Sequence, residues 1–145
     1  MKFLLDTNVL SEPARPAPDA NVLSWLSAQP ALQLSISVLT LGEIRQGVAL
    51  LARGAKRRRL ERWLEEDLPR QFAERLLAID EEVAHAWGRL AGEGKRAGRP
   101  LPVVDGLLLA TAAAHELTFV TRNEGDCAGR GVPLLNPWTG TTHPS

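Results

Sequence analysis

Short apolar runs alternate along the chain with longer segments whose apolar positions recur every three or four residues. Lys2–Leu5 reads as a strand that stops at Asp6. A helical turn over Thr7–Glu12 follows, closed by Pro13, Pro16 and Pro18. Asp19 is placed to cap a helix over Ala20–Ala28, with Val22, Trp25 and Leu26 on one face. Leu32–Val38 is the next strand. Thr40-Leu41-Gly42-Glu43 has the spacing of a capping box and predicts a helix with the stripe Leu41, Ile44, Val48 and Leu51. Another helix is predicted over Ala55–Leu68, burying Leu60, Trp63, Leu64 and Leu68 ahead of Pro69. Leu76–Ile79 is a strand or a connector, and Glu81–Arg96 a helix that frays into the Gly/Lys/Arg segment Gly92–Arg99. Pro102 introduces a helix over Val103–Glu116. Leu117–Thr121 and Val132–Leu135 supply the closing strands, with Gly129 and Gly131 at the turn between them.

Strands separated by whole helices favour a parallel sheet covered on both faces. The expected fold is α/β: one domain over residues 1–145, with a central parallel sheet of four or five strands flanked by helices. Such a sheet places its functional site beyond the carboxyl ends of its strands. The composition agrees, because 44% hydrophobic and 23% charged residues suit a globular core and exclude a largely disordered chain. A single cysteine, Cys127, excludes a disulfide scaffold. The longest apolar stretch, near 101–114, is interrupted by Asp105 and is too short to span a bilayer. No signal-peptide core precedes Asp6, so the expected location is the reduced cytoplasm, away from membranes.

Net charge is zero, with 17 basic and 17 acidic residues, so global charge does not point to nucleic acid. Its distribution is uneven. Seven bases and one acid lie between Arg45 and Arg62, and Arg53, Arg57, Arg58 and Arg62 form a candidate RNA-binding face. A solvated helix face is the simpler use of such a cluster.

The acidic residues carry more information. Asp6 ends the first strand, where it is either a helix cap or a ligand at the carboxyl edge of the sheet. Asp105 shares a helix face with Leu108, Leu109, Ala112 and Ala113, an expensive place for a carboxylate without a partner. Glu43 sits at the edge of its helix's apolar stripe, just after a strand. Thr121-Arg122-Asn123-Glu124-Gly125-Asp126 again follows a strand and offers Asn123, Glu124 and Asp126 as oxygen ligands, or serves as a plain polar turn. Carboxylates brought to one rim repel unless a cation lies among them. Oxygen donors without His or Cys select Mg²⁺ or Mn²⁺, the ions of metal-assisted phosphodiester hydrolysis. His85, His115 and His143 fall in unrelated contexts, and neither a phosphate-binding loop nor a nucleophile elbow occurs.

Five segments, in this order, resemble the PIN-domain proteins, the ribonuclease toxins of the VapC type and of their FitB-like branch. They are Phe3-Leu4-Leu5-Asp6-Thr7-Asn8-Val9-Leu10-Ser11-Glu12, Ile36-Ser37-Val38-Leu39-Thr40-Leu41-Gly42-Glu43-Ile44, Pro102-Val103-Val104-Asp105-Gly106-Leu107-Leu108-Leu109-Ala110-Thr111-Ala112, Phe119-Val120-Thr121-Arg122-Asn123 and Leu134-Leu135-Asn136-Pro137-Trp138. The resemblance implies a three-layer, Rossmann-like PIN fold and a Mg²⁺- or Mn²⁺-dependent endoribonuclease. By position it implies Asp6, Glu43 and Asp105 as the main acidic site residues, with Thr7, Asn8 and Thr121 as polar supports. Asn123 stands where many relatives have Asp, and Asp126 fits the other common placement of the fourth acid. The resemblance also implies a homodimer, a small antitoxin whose tail enters the site groove, and a heterotetramer or larger assembly with it.

Two functions remain open on the sequence. One is an endoribonuclease toxin of a type II toxin–antitoxin module that hydrolyses RNA with metal-activated water. The other is a catalytically weak PIN-like module that binds RNA or antitoxin. A phosphatase-like α/β enzyme is disfavoured, because Asp6-Thr7-Asn8 lacks the second Asp of a D-x-D pair. Trp25, Trp63 and Trp87 sit at helical core spacings; Trp138 is the exception.

Overall fold

The computed structural model describes all 145 residues, Met1–Ser145. Strand β1 (Phe3–Leu5) leads into a short helix α1 (Thr7–Ser11), a single 3₁₀ turn over Glu12–Ala14, and helix α2 (Ala20–Ala28). Strand β2 (Leu34–Ser37), helix α3 (Val38–Ala49) and helix α4 (Ala55–Arg62) follow. A wide π turn, Trp63–Asp67, joins α4 to α5 (Leu68–Gln71), and β3 (Leu76–Leu77) and the long helix α6 (Glu81–Arg96) come next. The chain closes with α7 (Val103–Ala114), β4 (Thr118–Val120), the one-turn α8 (Glu124–Cys127), β5 (Leu134–Asn136) and β6 (Thr141–His143).

The sheet order is β3-β2-β1-β4-β5-β6. The first five strands run parallel to their neighbours, and β6 pairs antiparallel with β5. The sheet is therefore mixed and has six strands, not the four or five expected. The sixth escapes the sequence because Thr141–His143 has no apolar alternation. Phe3 and Leu5 point to one face and Leu4 to the other, as a strand dictates. One core packs Phe3 and Leu5 with Val9, Val22, Ile36, Ile44 and Phe72. The second packs Leu4 with Leu108, Leu109, Leu117 and Phe119.

Three local expectations change. Helix α3 begins at Val38 with Ser37 as its cap, accepting the Leu39 N–H, so Thr40 and Glu43 are not a capping box but lie within the helix. The helical path that begins with α4 does not stop before Pro69 but runs on through the π turn into α5. The wide π turn ahead of it lets the chain continue, although proline has no N–H to return to the preceding turn. Gly92–Arg99 is not a fraying loop, since α6 stays helical to Arg96. Gly94 is buried there, and a Cβ on it would lie 2.8 Å from the Arg99 carbonyl oxygen.

Strand order puts a switch point at β1. The chain builds β2 and β3 on one side of it, then crosses to build β4 and β5 on the other. The crevice at the carboxyl ends of β1 and β4 is where such sheets bind ligands.

Candidate functional site

Parallel pairing sets Leu5 beside Val120, so the next residues, Asp6 and Thr121, meet across the end of the sheet. The Asp6 amide donates to the Val120 carbonyl at 2.9 Å. Asp6 is only 7% exposed. Its Oδ1 accepts the Thr7 N–H at 2.7 Å, and its Oδ2 accepts the Thr121 hydroxyl at 2.8 Å. The network extends in both directions. On one side the Thr7 hydroxyl donates to Glu43 Oε1 at 2.6 Å and lies 3.0 Å from the buried Thr40 hydroxyl. On the other, Thr121 Oγ1 accepts the Asn123 N–H at 3.0 Å. The Asn123 side-chain amide then donates to Asp105 Oδ2 and to Asp126 Oδ2, each at 3.2 Å.

A continuous set of hydrogen bonds thus links Glu43, Thr7, Asp6, Thr121, Asn123, Asp105 and Asp126. The four candidate carboxylates belong to it, as do Thr7, Thr121 and Asn123 among the expected polar residues. Asn8 does not; it is exposed and lines a neighbouring cavity. Asn123 acts as a neutral spacer between two acids, a role that composition alone does not reveal.

Electrostatics register the crowding. Burial pushes the Asp6 carboxyl up to about 6, against its hydrogen bonds from Thr121 and Thr7, and the charges of Glu43 and Asp105 add to the rise. Asp105 is also raised, first by burial and then by Asp126 and Glu43. Cys127 lies under the same cluster. Burial pushes its thiol up to about 12, helped by the charges of Asp105, Asp6 and Asp126, so it is a protonated apolar neighbour and no ligand. In their resting rotamers no three acidic, histidine or cysteine side chains stand close enough to clasp one ion directly. The donor set, carboxylates and hydroxyls only, suits a hard cation that keeps most of its waters and takes one or two carboxylates.

The basic residues divide. Arg53, Arg57 and Arg58 line one cavity of about 300 Å³ with Glu61, and Arg57 is already held by Glu61 and by the Leu51 carbonyl, both at 3.1 Å. Arg62 is exposed and lies outside that cavity. Lys56 and Arg59, not singled out in the sequence, share a larger cleft of about 570 Å³ with Glu43, Leu51, Leu60 and Trp63. Their signal was their place on the α4 face that points back toward α3. Glu12 was also missed. It is 3% exposed and accepts the Asp19 N–H at 2.9 Å. The three-residue step from buried Val9 could have found it.

The chain is similar to known proteins over nearly their whole length. The chain is 40% identical over 136 residues to Toxin FitB of Neisseria gonorrhoeae, covering 94% of this chain and 98% of that protein. It is 33% identical over 136 residues to VapC ribonuclease Y4jK of Sinorhizobium fredii, covering 94% and 97%. The crystal structure of FitAcB from Neisseria gonorrhoeae is similar at a TM-score of 0.89 and 40% identity, over 94% of this chain and 98% of that one. The PIN domain family matches residues 3–126, the span that carries the whole hydrogen-bonded set of acids, and the chain belongs to that family.

Proposed function

We propose that this protein is an endoribonuclease, the toxin of a toxin–antitoxin pair, and that it hydrolyses RNA phosphodiester bonds at Asp6, Glu43, Asp105 and Asp126. The observation that supports it best is the hydrogen-bonded set joining these four acids, which come from the end of β1, α3, α7 and α8. Its likeness to a toxin and to a VapC ribonuclease supplies the substrate class.

Asp6 and Asp105 would hold Mg²⁺ or Mn²⁺, with Glu43 and Asp126 completing the shell. Such an ion supplies a nucleophilic water at neutral pH and offsets charge on the phosphoryl oxygens. The chain's own groups prepare that site. Thr121 and Thr7 each anchor one Asp6 oxygen, fixing the carboxylate plane. The Thr7 hydroxyl aims Glu43, and Asn123 keeps Asp105 and Asp126 apart while tying both to the end of β4. Arg53, Arg57, Arg58 and Arg62 add positive potential that draws an RNA strand in.

The cleft lined by Glu43, Leu51, Lys56, Arg59, Leu60 and Trp63 has an apolar floor and a basic rim, and it opens onto the acids through Glu43. It is the proposed seat of the antitoxin tail, where an arginine of the antitoxin pairs with the carboxylates and takes the cation's place. A homodimer, and a larger assembly with antitoxin, completes the proposal. No helix is long and apolar enough to cross a membrane.

Cleavage of total RNA tests the assignment. Asp6→Asn and Asp105→Asn are expected to keep the wild-type circular dichroism spectrum and lose at least about a hundredfold in rate, since even outer-shell changes cost about 10–100-fold. EDTA should stop the wild type and excess Mn²⁺ restore it. Wild-type rates in either variant would remove the assignment. A second reading, a binding module without hydrolysis, is favoured by the amide of Asn123 at a position where the family resemblance implies an acid. Calorimetric titration with Mn²⁺ separates the two, because a pure binding module takes up no ion through its carboxylates.

A further inference from the structure

A second polar cavity, of about 190 Å³, borders the acidic network and is lined by Asn8, Ser11, Glu12, Arg15, Arg122 and Trp138. Asn8 lies two residues from Asp6, and Arg122 stands between Thr121 and Asn123, so two of its walls belong to segments that position the acids. The volume is below the roughly 300–1,000 Å³ of clefts for drug-sized ligands, and suits one planar ring.

Its aromatic wall is fixed by the main chain. The Trp138 N–H donates to Asn136 Oδ1 at 2.9 Å, and the Trp138 carbonyl accepts Asn21 Nδ2 at 3.0 Å. The exposed Arg122 guanidinium lies 5.1 Å from the Trp138 ring centroid and takes part in none of the ion pairs of the molecule. An indole and a free guanidinium in one stack form a surface on which any unpaired base can lie. Glu12 gives the cavity a polar reader. Its side chain is 4% exposed: Oε2 accepts the Asp19 N–H at 2.9 Å, and Oε1 meets Arg15 at 3.4 Å, whose own side chain is 63% exposed. Oε1, held only by that long contact, is an acceptor that selects a partner able to donate. Guanine, with imino and amino donors on one edge, offers that oxygen more donors than any other base.

We propose that Trp138, Arg122 and Glu12 form a subsite for one unpaired base of the RNA strand, guanine preferred, beside the phosphate that is cut. The inference rests on the ribonuclease assignment above and adds a source of sequence preference to it. Trp138 and Arg122 supply stacking that any base can use, whereas Glu12 ranks the bases.

The experiment uses the full chain with Mn²⁺ and single-stranded RNA oligonucleotides that differ at one position, scanned along the strand, carrying guanine, adenine, cytosine, uracil or no base. Stacking on an aromatic group is expected to make the wild type cut the guanine strand about tenfold faster than the abasic strand at one position near the cut. Trp138→Leu and Arg122→Ala should shrink that gap for all bases, and Trp138→Phe should retain it. Glu12→Gln should reorder the bases. Matched melting temperatures exclude misfolding as the cause. A wild type indifferent to the base at every position, or a Trp138→Leu enzyme with the full gap, overturns the subsite while leaving the ribonuclease assignment intact. A wild type that cuts no strand overturns both.

Discussion

Asp6 is held where its charge is least welcome. It is buried at the end of a central strand, and the two hydrogen bonds it accepts only partly offset the loss of water. Its carboxyl, ordinarily near 3.8, titrates at about 6 in the folded protein. Between these values the native state binds more protons than the unfolded chain, so stability falls as pH rises through that window and stays low above it. A shift of about two units corresponds to about 3 kcal/mol. Asp105, also raised, acts in the same direction. Without metal, Asp6→Asn should therefore be more stable than the wild type at pH 8, by about 2 kcal/mol, and the difference should vanish near pH 4. Urea unfolding of both proteins across pH 4–8 checks this, and equal stability at pH 8 would mean that Asp6 pays no burial cost. The same substitution should abolish cleavage, so stability and activity pull this residue in opposite directions. The sequence marked Asp6, Glu43 and Asp105 as acids in unusual places, and it offered Asp126 and Asn123 as alternatives. It could not show that Asn123 joins Asp105 to Asp126, because the contact with Asp105 spans 18 residues and forms only in the packed fold.

The elements were legible wherever a local rule governs them. The apolar run ending at Leu5 and the apolar stripes of α3 and α7 gave strand and helix types correctly. Boundaries moved where two local signals compete. Ser37 and Thr40 both carry a hydroxyl able to cap, and Ser37 takes the role because β2 ends at that residue, which leaves Thr40 to turn inward against Thr7. Gly94 misled in another way, because glycine inside a helix reads as fraying, yet here it permits close approach. The chain returns so tightly that the Arg99 N–H donates to the Gly94 carbonyl at 2.8 Å, and Arg130 Nη1 would stand 3.0 Å from an added Cβ. Alanine gains about 1 kcal/mol in helix propensity over glycine, but the clash with backbone outweighs it. Gly94→Ala should lower stability by at least about 1 kcal/mol in thermal or urea unfolding. A more stable variant would show that the α6–α7 connection gives way freely.

At the scale of the molecule, the acids are shared among the end of β1, α3, α7 and α8, elements spread from one end of the chain to the other. An ion held by such a set binds only the folded state, so it should stabilise the whole protein. At a Mn²⁺ concentration about 100 times its dissociation constant the gain is about 2.7 kcal/mol. For a chain of this length that is a rise of roughly 5–10 °C in Tm. Differential scanning fluorimetry should show the rise in the wild type at pH 7.5 and little of it in Asp105→Asn. An equal rise in both proteins would place the ion elsewhere. By itself the sequence determined the kinds of element, the α/β class and the acids worth watching, since each follows from spacings of a few residues along one segment. Only the tertiary structure decided that Asp6 meets Thr121 across a separation of 115 residues, that Glu12 lies buried beside a stacked Arg122 and Trp138, and that a sixth strand closes the sheet. Those contacts are set by which strand lies next to which, and strand order is a property of the packed sheet that no single segment carries.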